Sequence, residues 1–344
     1  MISTLDFEKP ILELEKKIAE LKTLSSNGHL NLHSEVKKLE GRLAHVKKET
    51  YLHLTPWQRV QIARHPKRPY TLDYIHSIFS DFVELHGDRS FADDKALIGG
   101  FAKFEGQRFL VLGHQKGRDA KENIMRNFGS AHPEGYRKAI RLMKTAEKFK
   151  VPIVVFVDTP GAYPGIGAEE RGQAYTIAYN IREMARIRVP IIVFVIGEGG
   201  SGGALGIGIG DRVLVLENAY YSVISPEGCA AILWKDRTKA PEAAAALKLT
   251  AKDLLELKLI DEIIKEPLGG AHRNPEEIAE TVKAAIKKYT KELEALSGES
   301  LIEKRYEKFR NMGVFENLAT SQIVQKIHSR HERKQHEKRV LSTK

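Results

Sequence analysis

Apolar side chains recur every three or four residues near the start of the chain. The spacing runs four, three, four and three from Phe7 to Leu21, and a similar spacing resumes from Val36 to Val46. Between them lies the polar segment SSNGHLN. Because this period is that of one face of an α-helix, the pattern predicts a helical hairpin. Its apolar stripe packs on its own domain or on another subunit, and the sequence leaves both open.

The pattern changes over residues 70–274. Short runs of consecutive apolar residues predict buried strands in RFLVLGHQ, VPIVVFVDTPG, VPIIVFVIGEG and DRVLVLENAYYSVIS. Helical spacing separates them, first in a segment that opens at Pro133 and then in one that opens at Glu169. Continuous apolar strands joined by helices are typical of parallel strands covered on both faces. The sequence therefore predicts an α/β fold.

One unit of this region is repeated. VPIVVFVDTPG begins at Val151 and VPIIVFVIGEG at Val189, 38 residues later. Each copy is an apolar strand that ends in a glycine-containing loop ahead of a helix. Two turns of a ββα coil would give this repeat, and so would two βαβ units of an open sheet.

The last region, from residue 275 onward, has helical spacing and is highly charged. EPLGGAHRNP marks a break, which predicts three regions: a helical region at 1–69, a core at 70–274 and C-terminal helices with a basic tail at 275–344. The tail itself, residues 326–344, is rich in histidine and basic residues. We interpret it as a solvated or disordered tail, with a nucleic-acid arm as the alternative.

Composition narrows the class of protein. The net charge of +10 is compatible with nucleic acid, a membrane surface, or an anionic substrate or partner. Cys229 is the only cysteine, which excludes disulfides within the chain and a zinc ribbon built from cysteine pairs. No apolar run approaches the roughly 20 residues of a membrane span, and the N-terminus shows no secretory leader. We therefore expect a cytoplasmic protein without a membrane anchor.

Glycine is concentrated between Gly197 and Gly210, in GEGGSGGALGIGIG. The segment contains a literal G-x-G-x-x-G, and Glu217 lies about 20 residues further on, as in a dinucleotide site. However, only ALGIGIG separates the motif from the next strand, which is too short for a crossover helix. Tight packing of a short helix is a second interpretation. The third is that amides at a helix start hold an oxyanion, where one donor contributes roughly 3 kcal/mol.

A second loop, DTPGAYPGIGAEERGQ, follows the preceding strand and is expected at the same edge of the fold. Its Asp158, Glu169 and Glu170 are candidate acids or bases, although helix capping explains the glutamates equally well. The segment GHQKGRDAKENIMRNFG carries four cations that either attract phosphate or form a solvated turn: Lys116, Arg118, Lys121 and Arg126. His114, His132 and His272 are interpreted as polar loop residues.

Several long blocks carry a resemblance to a known family. They are ELHGDRSFADDKALIGG, GHQKGRDAKENIMRNFG, HPEGYRKAIRLMKTAEKF, DTPGAYPGIGAEERGQ, GEGGSGGALGIGIGDRVLVLE, YSVISPEGCAAILWKD and DEIIKEPLGGAHRNP. Over about residues 5–320 the chain resembles the α subunits of the carboxyltransferase of bacterial-type, multi-subunit acetyl-CoA carboxylase. The resemblance implies a crotonase-like fold, a right-handed coil of ββα units, with the N-terminal hairpin and the C-terminal helices as extensions.

The same resemblance implies that the chain is half of an enzyme. Its family pairs it with a β subunit that carries a zinc finger, in an α2β2 heterotetramer whose active site forms where the two subunits meet. The implied reaction moves a carboxylate from carboxybiotin, held on a biotin carboxyl carrier protein, to acetyl-CoA and gives malonyl-CoA for fatty acid biosynthesis. ATP is used only in the reaction of the separate biotin carboxylase.

The resemblance also implies the site residues. The amides of Gly203 and Ala204, with Gly202 as the alternative donor, are expected to serve biotin. The PGAYPG loop is expected to line the same pocket with Gly161, Ala162, Tyr163, Pro164 and Gly165, and no metal is expected in this chain. Two alternatives remain: a basic nucleic-acid-binding or scaffold protein that keeps a hydratase-like fold, and a decarboxylase or propionyl-CoA-type carboxyltransferase. Chain length argues against the latter, because those enzymes fuse both halves.

Overall fold

The computed structural model describes residues 5–26 and 32–313. By their contacts, the described residues up to Arg310 form one compact unit. The basic tail at 326–344 lies outside the described residues. None of the helices in the described ranges combines the length and the apolar character that crossing a bilayer requires.

The described chain alternates helices and strands. The strands are β1 (Ser80–Glu84), β2 (Leu97–Phe104), β3 (Gln107–His114), β4 (Ile153–Thr159), β5 (Ile191–Gly200), β6 (Arg212–Leu216), β7 (Tyr220–Ser222) and β8 (Glu262–Ile264). The helices are α1 (Lys9–Ser26), α2 (His33–Leu52), α3 (Pro56–Ala63), α4 (Thr71–Ile78), α5 (Ala120–Met125), α6 (Pro133–Lys148), α7 (Ile166–Glu170), α8 (Gln173–Met184), α9 (Ser201–Leu205), α10 (Pro226–Leu233), α11 (Ala240–Ala246), α12 (Ala251–Glu256), α13 (Pro275–Glu294) and α14 (Gly298–Arg310). Short 3-10 turns lie at Asp6–Glu8, Asn127–Gly129 and Arg237–Lys239.

One mixed sheet organises these elements, in the order β1-β2-β3-β4-β5-β6-β8. The first three strands are antiparallel, and from β3 to β8 every pair is parallel. β4 and β5 are aligned from Ile153 opposite Ile191, so the two copies of the sequence repeat are adjacent strands. Every residue of β4 and β5 is buried. The prediction of parallel strands covered on both faces is confirmed.

Two predicted elements are divided in the structure. The segment predicted as one strand, DRVLVLENAYYSVIS, forms β6 and β7, because the chain turns where the Ala219 amide donates to Leu216. β7 then pairs with the far end of β5. The helix predicted from Glu169 is also divided, since Gly172, at φ +79°, separates α7 from α8.

The predicted N-terminal helices are confirmed as α1 and α2, although the residues between them, 27–31, lie outside the described ranges. Ile18 of α1 packs with Val36 and Leu39 of α2. Ile11 packs with Tyr51 and with Ile62 of α3. Part of the apolar stripe therefore packs on the chain's own helices.

Buried cations tie both flanking regions to the sheet. The Arg68 Nε donates to the Ile196 carbonyl of β5 at 2.6 Å, and its guanidinium pairs with Glu266. The Arg305 Nη2 of α14 lies 2.7 Å from Asp211 Oδ2, ahead of β6. The boundaries at residues 69 and 274 stay predictions, and these bonds cross both of them.

Candidate functional site

The two glycine-containing loops meet at the edge where β4 and β5 end. A Cβ on Gly200 would lie 2.2 Å from the Pro160 carbonyl oxygen. A Cβ on Gly203 would lie 2.5 Å from the Ala162 nitrogen. Only residues without a side chain permit this contact between two main chains, so the glycines at 200 and 203 are required by packing.

The turn from β5 into α9 is sharp. Ser201 has φ +47°, a left-handed conformation that is uncommon for a residue with a side chain. α9 begins at Ser201, with Gly200 as its N-cap, so the amides of Ser201, Gly202 and Gly203 have no acceptor within the helix. Ala204 is the first residue with a carbonyl four residues back, that of Gly200. Ser201 is exposed, Gly202 is half-buried, and Gly203 and Ala204 are buried.

The PGAYPG loop is held by its neighbours. Thr159 Oγ1 accepts from the Gly161 amide at 3.1 Å and donates to the Gly161 carbonyl at 2.8 Å. The Tyr163 amide donates to Ala131, and its ring stacks on His132 with centroids 4.0 Å apart. Gly161 has φ +152°, and a Cβ there would meet nothing within 4 Å. The loop is therefore fixed, and the space beside Gly161 is open.

The other two predicted loop residues differ in exposure. Pro164 is exposed, whereas Gly165 is half-buried. A Cβ on Gly165 would lie 2.3 Å from the Tyr163 ring, so a side chain at residue 165 would displace the tyrosine. All five predicted loop residues thus lie on one short, shaped segment.

A buried charge network lies below the two loops. Lys116 Nζ donates to Asp158 Oδ1 at 2.7 Å and lies 3.5 Å from Glu198 Oε2. The Asp158 carboxylate also accepts from the Glu198 amide at 2.9 Å, and Arg64 Nε donates to Glu198 Oε1 at 2.5 Å. Asp158, a candidate acid or base, thus helps to join the ends of three neighbouring strands through its Oδ1.

Electrostatics favours the charged forms of Lys116 and Glu198. Burial opposes the charge of Lys116, but Asp158 and Glu198 outweigh burial and raise the lysine pKa. Burial likewise opposes the charge of Glu198, but Lys116 and Arg64 outweigh it and lower the carboxyl pKa. The network is therefore a structural support of the loops.

Most of the predicted phosphate-attracting cations are bound within the chain. Arg118 donates to the carbonyls of Pro66 and Arg68 and pairs with Asp73. Arg126 pairs with Glu122. Because Lys116 is also buried in an ion pair, these residues support the fold rather than a phosphate site.

Two further interpretations are decided by the structure. His114 is wrongly interpreted as a loop residue: it is the last residue of β3 and is fully buried. The argument against a dinucleotide site is supported, since the helix after the glycine motif, α9, has five residues. Glu169 and Glu170 are exposed on the short helix α7.

Sequence reasoning missed the side chains that reach the site from distant segments. Arg64 lies 134 positions before Glu198 in the chain, and no local pattern joins them. Tyr136 of α6 and Asn180 of α8 contact the carbonyls of Gly203 and Gly206. Both lie in segments whose apolar spacing predicts helices and gives no sign of these contacts.

Exposed apolar side chains flank the site. Ile166, which follows the PGAYPG loop, is 79% exposed, Tyr175 of α8 is 73% exposed, and Val223 is 77% exposed. Val223 is next to Ser222, which is paired with Gly200. Within residues 5–26 and 32–313, no cluster of three or more His, Cys, Asp or Glu is arranged to hold a metal ion.

Comparison with solved structures identifies the fold. The chain is similar to transcarboxylase 12S, at TM-score 0.52 and 20% identity, over 66% of this chain and 42% of that one. It is also similar to a chain of a Pseudomonas malonate decarboxylase hetero-tetramer, at TM-score 0.54 and 15% identity, over 77% of this chain and 98% of that one. The expected crotonase-like fold is confirmed.

Comparison of sequences identifies the family. Residues 4–313 match the family described as acetyl co-enzyme A carboxylase carboxyltransferase-like. The acetyl-coenzyme A carboxylase carboxyl transferase subunit alpha of Thermus thermophilus is 60% identical, over 90% of this chain and 98% of its own length. That of Geobacter metallireducens is 61% identical, over the same shares. The chain therefore belongs to the family of acetyl-coenzyme A carboxylase carboxyltransferase alpha subunits.

Proposed function

We propose that this chain supplies the biotin-side half of a carboxyltransferase centre that converts acetyl-CoA to malonyl-CoA. Carboxyl transfer is the activity of its family and implies biotin-dependent chemistry. One observation carries the assignment of the site. The amides at the start of α9 lie against the PGAYPG loop, at the edge where the buried strands β4 and β5 end.

The residues at this edge fit a ureido group. Main-chain N–H groups are neutral donors suited to an oxygen that gains negative charge, and a buried setting strengthens them. A Cβ on Gly161 would meet nothing within 4 Å, so the main chain of the loop is accessible there. When bound, carboxybiotin supplies the carboxyl group and a ureido oxygen on which negative charge develops.

The chain's own residues act by orientation and charge stabilisation. We assign Gly202 and Gly203 as the donors rather than Ala204, because the Ala204 amide has a helical acceptor in Gly200. The left-handed Ser201 turns the chain so that these amides follow the strand end directly. Residues 161–165 would line the pocket and hold the ring in place.

The exposed apolar rim supports an incomplete site. Ile166, Tyr175 and Val223 are large apolar side chains that are mostly exposed, and exposed apolar groups beside a site are typical of an interaction surface. We propose that a β-type subunit covers them in an α2β2 heterotetramer and binds the acyl thioester. The biotin carboxyl carrier protein and biotin carboxylase would act with this complex.

Reconstitution tests the proposal. The chain is purified alone and together with the β-type subunit of its own system, and malonyl-CoA formation is measured with carboxylated carrier protein. We expect no transfer by the chain alone, and transfer when a zinc-bearing partner co-purifies in equal amount. Robust transfer without a second subunit would contradict the half-site assignment.

A further inference from the structure

The carbonyl end of α9 is held by side chains from two other helices. A helix of five residues is not stable by itself, so packing against its neighbours sets its direction. In a continuing helix the Ile207 amide would reach Gly203, but it donates to Ala204 instead at 3.3 Å. The Gly203 carbonyl therefore needs a partner from elsewhere.

Tyr136 of α6 provides one such partner, and the buried ring of His114 in β3 lies beside the same Gly203 carbonyl. The Tyr136 hydroxyl lies 3.4 Å from the Gly203 carbonyl oxygen, and its ring packs so closely on Gly206 that a Cβ there would lie 2.6 Å from the ring. The tyrosine is fully buried. One rigid side chain therefore contacts α9 near its middle and just beyond its end.

Asn180 of α8 binds the carbonyl of Gly206, just beyond the end of α9. Its Nδ2 donates to Gly206 at 2.9 Å and to the Tyr136 carbonyl at 2.9 Å. Asn180 is fully buried, so the Gly206 carbonyl has no water as a substitute partner. The amide side chain thus links α6, α8 and α9 at one point.

We propose that Tyr136 and Asn180 are positioning residues that fix α9 by its carbonyls, so that the Gly202 and Gly203 amides face the reacting group. This inference rests on the proposed function of those amides. The peptide units of a helix are nearly rigid and share one axis, so a tilt at the carbonyl end also moves the amide end. Neither side chain needs to touch substrate to act in this way.

The deciding variant is Tyr136→Phe, which removes one oxygen atom and keeps the ring on Gly206. The matched control is Tyr74→Phe, because Tyr74 is also buried and its hydroxyl has no hydrogen-bond partner among the described residues. Both are prepared in the complex with the β-type subunit. Asn180→Leu, which leaves the buried Gly206 carbonyl without its side-chain donor and removes the second bond to the helical carbonyl of Tyr136, is the stronger companion variant.

The assay runs the reaction in reverse, with malonyl-CoA and the free biotin derivative biocytin. We expect Tyr136→Phe to lower kcat/KM for biocytin about tenfold, since small misplacements of reacting groups can cost up to about a hundredfold. The KM for malonyl-CoA should stay unchanged, and the thermal midpoint should match that of Tyr74→Phe.

Three results would overturn parts of this account, and they are distinguishable. Wild-type constants for both substrates in Tyr136→Phe would refute the positioning role and leave the amide assignment intact. If the thermal midpoint and the fraction of active enzyme both fall while the KM values stay unchanged, then Tyr136 has a structural role only. A rise confined to the KM for malonyl-CoA would show that these amides serve the thioester, which contradicts the proposed function.

Discussion

Gly203 lies against the main chain of Gly161: a Cβ on Gly203 would stand 2.5 Å from the Gly161 carbonyl carbon. The two residues belong to loops that follow different strands, so the fold of one loop depends on the absence of a side chain in the other. The proposed donor and the proposed pocket are therefore one unit.

Substitution of Gly203 tests this dependence. In Gly203→Ala the new methyl group collides with main-chain atoms, which cannot rotate away, so the PGAYPG loop must shift. We expect malonyl-CoA formation by the complex to fall about a hundredfold, the scale of a 1 Å misplacement. The measurement is steady-state turnover of the purified complex, with assembly checked by gel filtration.

Gly202→Ala is the matched control. A Cβ at residue 202 would meet only the Ile177 side chain, at 3.5 Å, which is ordinary contact, and alanine retains the amide. This variant should keep assembly and turnover within a few-fold of the wild type. Wild-type turnover of Gly203→Ala would mean that the contact between the loops does not matter for the reaction.

The charge network below the loops gives a second prediction. Lys116→Met leaves Asp158 and Glu198 buried with one fewer cation, and breaking a buried pair costs about 3–5 kcal/mol. Lys287→Met, which removes an exposed pair with Glu105, should cost about 1 kcal/mol or less. Urea denaturation of both variants measures the difference. Equal stability losses would show that the network contributes little.

The sequence was sufficient to predict that the two glycine-containing loops meet at one edge of the sheet. Strands buried on both faces must be continuously apolar, so β4 and β5 stand out in the printed sequence, and parallel strands bring their following loops together. Gly200 and Gly203 stand out as well, because they belong to the glycine-rich segment that follows β5. The left-handed conformation of Ser201 could not be predicted, because serine carries no signal of its backbone conformation.

Contacts between distant segments could not be predicted. Arg64 and Glu198 meet only because α3 packs beside the end of β5, and Asn180 reaches Gly206 only because α8 lies along α9. Arg64 and Asn180 are both compatible with an amphipathic helix, and the helical spacing does not indicate which distant residue each one contacts. His114 lies within the predicted strand RFLVLGHQ, so its interpretation as a loop residue conflicts with that strand, and β3 includes it.

The C-terminal helix α14 gives a third prediction. The Arg305 guanidinium is completely buried, pairs with Asp211 and donates to the carbonyls of Met184 and Ile187. Arg305→Met should destabilise the chain by about 3–5 kcal/mol, since it leaves the buried Asp211 carboxylate without its countercharge and removes a donor from each of two carbonyls. Arg188→Met, at an exposed pair with Glu299, should cost at most about 1 kcal/mol. A small loss for Arg305→Met in denaturation would mean that α14 is dispensable.

The pH dependence of stability tests the buried state of His272. Burial, with nearby His65 and Arg273, lowers the pKa of His272 from 6.5 to about 3. Between these values the unfolded chain binds a proton that the folded chain does not. The free energy of unfolding therefore decreases as pH falls below 6.5, by up to about 1.4 kcal/mol per pH unit from this group.

His272→Phe isolates that contribution, because it keeps a ring against His65. Relative to the wild type, the variant should gain about 2 kcal/mol between pH 6.5 and pH 5, whatever its offset at neutral pH. His76→Asn, at an exposed position, controls for loss of a histidine in general. Denaturation curves at several pH values give the comparison. If wild type and His272→Phe lose stability in parallel on acidification, then His272 takes up its proton in the folded chain, and the cluster that joins residues 65 and 272 must be open to water.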